Sequence, residues 1–157
     1  MPTATSPYVP AFKWKQGEHF AVKPLTPAQK TRVLPIAETP DRPYDWAKSK
    51  HSKSWDKHID DLVAATVTNW GTAHDIAVDQ VIDDNDALAS NTGTPWEYLF
   101  LQMWAAGVRA VPVLSTRASA TEQAALVAVS KANKKNRWLL RHRSDPHGDV
   151  PAPAHAA

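Results

Sequence analysis

The stretch TPWEYLFLQMWAAGVRAVPVLS, Thr94 to Ser115, contains a helix-to-strand unit that sets the fold class. Thr94 stands where an N-cap belongs, Pro95 at the first helical position and Glu97 three residues past the cap, so the orphan amide donors of a helix start find acceptors. Trp96, Leu99, Phe100, Met103 and Trp104 then recur at the spacing of one buried helical stripe. Gly107 stops the helix, and Val108 to Ser115 reads as a strand.

The same alternation continues in both directions. Upstream, HDIAVDQVI (His74 to Ile82) is a short apolar strand carrying Asp75 and Asp79. Before it, Trp55, Ile59, Leu62, Val63, Thr66, Val67 and Trp70 fall at helical spacing and end at Gly71. TPDRPYD (Thr39 to Asp45) is turn chemistry, and RVLPIAE (Arg32 to Glu38) is an apolar run closed by a carboxylate, as in a buried parallel strand. A short helical segment is expected around Thr26 to Lys30. The first strand, Tyr8 to Lys15, alternates: Tyr8, Pro10, Phe12 and Trp14 share one face, and Val9, Ala11, Lys13 and Lys15 the other. Gly17-Glu18 then reads as a tight turn, with Glu18 favoured at a helix N-terminus.

Downstream, Ser119 to Glu122 offers a second capping box for a helix to about Asn133, and Lys131, Lys134 and Lys135 complement its negative end. RWLLRHR (Arg137 to Arg143) is a fifth strand. The expected organisation is one α/β domain over residues 1–145, built of parallel βα repeats with about five strands, and a disordered Pro/Ala/His tail over 146–157. Such a chain resembles a partial (β/α) TIM-type barrel, because eight units need about 250 residues.

Composition narrows the function. Eighteen Lys+Arg against 16 Asp+Glu leave a net charge of +2, too small a field to draw the chain onto nucleic acid or an anionic membrane. With no cysteine there is no disulfide, thiol nucleophile or Cys-type zinc site. The apolar region Leu99 to Leu114 is broken by Gln102, Gly107 and Arg109, short of the ~18 apolar residues of a membrane span. No stretch has the features of an export signal, so a soluble, cytoplasmic protein is expected. The seven tryptophans are spread along the chain as anchors between layers. Five glycines form no P-loop, dinucleotide fingerprint or nucleophile elbow.

Ligands of parallel α/β folds gather at the carboxyl ends of the strands. Those ends carry Lys13 and Lys15, Glu38, Asp79, Ser115 with Arg117, and Arg141 with Arg143. Together they would form a cationic rim facing two carboxylates, suited to a phosphorylated or carboxylated small molecule; equally, the same charges could pair and close the end of a barrel. No residue is assigned to catalysis, no cofactor is named, and whether the protein is an enzyme stays open. The basic run KSKHSKSWDK (Lys48 to Lys57), flanked by Trp46 and containing Trp55, is the best nucleic-acid candidate, but a solvated helix face accounts for it better. His51 and His58 are placed on that same solvated face. His142, Asp145, His147 and Asp149 are metal-binding types in a segment of turn formers, and no metal site is assigned; DDND (Asp83 to Asp86) lacks the Gly and Glu of a calcium loop.

YVPAFKWKQGEHFAV, VLPIAETP, PWEYLF…GVRAVPVLS and WLLRHRSD, in that order from Tyr8 to Asp145, resemble the N-terminal half of the phage "beta protein" family. The resemblance implies a barrel-like fold and a phage or prophage setting, and brings no reaction with it. Family members are commonly more than twice as long, which implies a shortened or split member, or a half-barrel that completes itself by pairing. Two functions follow as expectations. One is an accessory protein that binds a host or phage protein, a complementary half-barrel chain or a second copy of itself. The other is a barrel-type enzyme or binding protein for an anionic small molecule.

Overall fold

The structure is a computed structural model that describes residues 7–79, 94–115, 119–135 and 137–141. In chain order its elements are β1 (Ala11–Lys13), α1 (Gln16–Val22), α2 (Pro27–Lys30), β2 (Ile36–Glu38), β3 (Tyr44–Asp45), β4 (Lys50–His51), α3 (Trp55–Asn69), β5 (Asp75–Asp79), α4 (Pro95–Ala105), β6 (Arg109–Ser115), α5 (Ala120–Ala132) and β7 (Leu139–Arg141). Five strands form one sheet in the order β1-β2-β5-β6-β7, every neighbouring pair parallel. Spatial order follows chain order without reversal. The sheet is therefore wound in one direction like part of a barrel, unlike a doubly wound sheet, whose order reverses at a switch point.

The two faces of the sheet have different partners. Ala37, Ile76, Val78 and Ala110 pack with Trp55, Ile59, Leu62, Leu99, Phe100, Met103 and Leu126 of the helices in the main core. Ile36, Ala77 and Val113 form a second, smaller cluster with Leu34 and Leu139 on the opposite face. Residues paired in register share a face in a parallel sheet. Hence Lys13, Glu38 and Asp79 continue the row of Ala11, Ile36 and Ala77, and Ser115 and Arg141 follow Val113 and Leu139.

The helix starts are chemically specified. Thr94 and Glu97 form the reciprocal capping box, Pro95 opens α4, and Thr26 with Gln29 does the same for α2. Gly71 and Gly107 carry φ of +90° and +77° just past α3 and α4, the left-handed conformation that glycine adopts without a Cβ clash. Trp14, Trp55 and Trp70 are buried anchors, and the Trp14 indole donates to Thr66 Oγ1 at 2.9 Å, tying β1 to α3.

Several expectations are corrected. Gly17-Glu18 is no turn but the first part of α1, with Glu18 in its first turn. Strand one ends at Lys13, because Trp14 turns its ring under α3 and Lys15 becomes the N-cap residue of α1. The end of TPDRPYD and the residues after it hold an antiparallel pair, β3 and β4, closed by Asp45 Oδ1 accepting from the amides of Ala47 and Lys48. Trp46 sits on that turn 85 % exposed, so it is not an anchor between layers. Strands two, three and five also begin later than read, at Ile36, Asp75 and Leu139. Residues 80–82 and the tail lie outside the described residues.

Candidate functional site

The carboxyl ends of β2, β5 and β7 meet at one guanidinium. Arg141 Nη1 donates to Glu38 Oε1 and to Asp79 Oδ2, both at 2.6 Å. The side chains are 24 %, 15 % and 1 % exposed for Arg141, Glu38 and Asp79, so the cluster lies largely out of water. The register explains how residues so far apart converge: Glu38 pairs with Asp79, while β7 is offset along β6 so that Arg141 stands beside Ser115. Burial acts to lower the Arg141 pKa, but hydrogen bonds and charge from Glu38 and Asp79 outweigh it and raise the pKa above its ordinary value. Arg141 is therefore a permanent cation. Removing it would take a shared cation from the buried Asp79 and the partly buried Glu38, a destabilising change.

The chemistry of this cluster lies in what the guanidinium has left over. Both described contacts use Nη1, while Nε and Nη2 form the edge that matches a carboxylate bidentately. Lys13 is in register with Glu38 and exposed. Across the described residues of this end, Lys13 and Arg141 balance Glu38 and Asp79 in charge.

Of the residues singled out from sequence, the structure brings together Glu38, Asp79 and Arg141, with Lys13 next in the row. Lys15 lies beyond the strand, exposed at the start of α1, so the two-residue alternation that aligned it with Lys13 does not apply. Ser115 ends β6 in register with Arg141, and its side chain lies outside the described residues. Arg117 and Arg143 lie outside them too, as do Asp83–Asp86, His142, Asp145, His147 and Asp149. In the basic run, Lys53 and Lys57 both pair with Asp61, and Lys48 pairs with Asp45.

His58 is a correction, being only 6 % exposed instead of solvated. Its Nε2 lies 2.9 Å from the Pro40 carbonyl and its ring packs edge-on to Trp55. Burial lowers its pKa, the Pro40 bond opposes that, and the nearby Lys53 charge adds to the lowering. Its spacing from Trp55, Ile59 and Leu62 on the helix was the available signal, masked by the lysines on either side. Sequence reading also missed Asp75, which accepts from Arg109 Nε at 2.7 Å and from Arg137 Nη1 at 2.6 Å at the other end of the sheet.

Among the described residues, no three His, Asp or Glu side chains are grouped to hold a metal ion, and no helix is long and apolar enough to cross a membrane. Comparison with curated proteins and with solved structures gave no match. A family model described as Beta protein matches residues 8–154, most of the chain, continuing past Asp145 where the resemblance read from the sequence stopped. With the parallel half-barrel sheet and the ordered motifs already in place, this match assigns the chain to the Beta protein family.

Proposed function

We propose that this Beta protein family member binds a small carboxylated molecule at the carboxyl-terminal mouth of its half-barrel, seated on the free edge of Arg141. The observation that carries the reading is the partly buried guanidinium held by Glu38 and Asp79 through a single nitrogen. A partly buried ion cluster gives little net stability compared with apolar packing, so its presence at a strand end favours use over support. Two carboxylates flank the guanidinium, and they would repel a phosphate dianion more strongly than a carboxylate. They also offer acceptors to a hydroxyl or ammonium group on the same ligand. The preferred class is therefore a hydroxy or amino acid, narrower than the phosphorylated or carboxylated range read from sequence.

The test is a thermal-shift series with malate, glutamate and citrate. Wild type is expected to gain about 2.7 kcal/mol of stability at a hundredfold excess over Kd, and Arg141→Lys, which keeps the charge but lacks the fork, is expected to lose that gain. Equal shifts in both proteins would reject the site.

A second reading, association with another half-barrel chain of the same kind, is favoured by Trp46, 85 % exposed on its turn, and by Leu140, 73 % exposed on β7. Against it, the sheet's edge strands are three residues each among the described residues, and Pro10 and Lys13 blunt the β1 edge. Light scattering that finds only monomer up to high protein concentration would remove this reading.

A further inference from the structure

The amino-terminal end of the sheet has a different charge balance from the carboxyl end. Two adjoining clefts of about 180 and 310 Å³ share Asp75, Arg109 and Arg137 in their walls. Lys134 and Lys135 line the smaller cleft beside the Trp104 ring, and Lys30 lines the larger one. Asp75 is the single carboxylate among these lining residues, and it is already held by Arg109 and Arg137. The end of α5 adds about half a negative charge. The smaller cleft still has a surplus of cations.

The lysines are not needed to cap α5. The Lys134 amide donates to the Lys131 carbonyl and the Lys135 amide to the Ser130 carbonyl, the paired backbone bonds of a Schellman ending. In that ending the residue after the cap takes positive φ, and α3 and α4 place Gly71 and Gly107 there. At α5 the position is Lys134, with φ of +56°. A lysine in a conformation that favours glycine carries a local penalty, and backbone strain of this kind collects at functional sites. The strained residue is also one that lines the cationic cleft.

We infer that the cleft formed by Lys134, Lys135, Arg109 and Arg137 at the amino-terminal end of the sheet binds the phosphate groups of a small oligophosphate. Lysines act there as point charges, and the two arginines, exposed by 56 % and 66 %, present guanidinium N–H groups beyond those used on Asp75. This site is independent of the carboxylate site at the other end, so either can fail alone.

Calorimetric titration of the full chain with pyrophosphate, together with the Lys134→Gly and Lys135→Gln variants, tests it. Wild type is expected to bind pyrophosphate, and each variant to bind about tenfold more weakly through loss of one charge-assisted contact. Lys134→Gly is also expected to raise Tm by about 2–4 °C, because glycine relieves the left-handed strain. Higher stability with lower affinity is the signature of a binding lysine. Three results would each overturn the assignment: no heat of binding in wild type up to millimolar pyrophosphate, unchanged affinity in both variants, or a lower Tm in Lys134→Gly, which would make the lysine structural. An oligothymidylate that binds more tightly than pyrophosphate would also overturn it, by showing a surface for nucleic acid.

Discussion

At the scale of single residues, burial decides which of the polar groups in the sequence matter. Asp79 and Glu38 were legible as strand-end carboxylates because each closes an apolar run. That Arg141 reaches both was not, since it depends on the offset of β7 along β6, which no local pattern encodes. His58 shows the opposite failure: its neighbours in the sequence are basic, but its neighbours in space are Trp55 and the Pro40 carbonyl. Its consequence is a pH dependence. A histidine with a folded pKa below the unfolded value of 6.5 takes up protons more readily when the chain unfolds. Its contribution to stability is thus complete above pH 6.5 and is lost as pH falls from there through the folded pKa. His19, also lowered by burial despite the opposing charge of Glu18, acts in the same direction. Tm should fall between pH 7.5 and 5.5, and His58→Gln should flatten part of that slope; a slope unchanged by the substitution would show that His58 does not contribute.

At the scale of elements, the sequence was most informative where caps and periodicity agree. The α4 start was readable to the residue because Thr94, Pro95 and Glu97 are each suited to one position of a helix N-terminus. Thr94→Ala should lower stability by about 0.5–2 kcal/mol, and Thr94→Ser should be nearly neutral, by urea denaturation. Equal losses in both would mean that the hydroxyl cap is not the stabilising feature. Short elements were less legible. The α1 helix was hidden by Gly17, a poor helix former whose position leaves open space around a would-be Cβ. The β3 and β4 strands, two residues each, are too short for an alternating pattern to register.

At the scale of the molecule, the count and parallel order of the strands followed from the alternation of helical and apolar segments, since each amphipathic helix had to cross between parallel strands. Chain order retained in the sheet then makes the curvature barrel-like and brings the strand ends together at two poles. These poles are unlike: at one Arg141 is shared by Glu38 and Asp79, and at the other arginines and lysines surround Asp75. Strand-end reading drew attention only to the first, because amino-terminal ends of strands are ordinarily structural. The central claim is that the free edge of Arg141 receives a carboxylate at the first pole. It is tested most directly by following the Arg141 Nε–H resonance, identified by its absence in Arg141→Lys, during titration with malate, glutamate and citrate. The expected result is a saturable shift with at least one of them; a resonance that stays in place through all three titrations would contradict the claim.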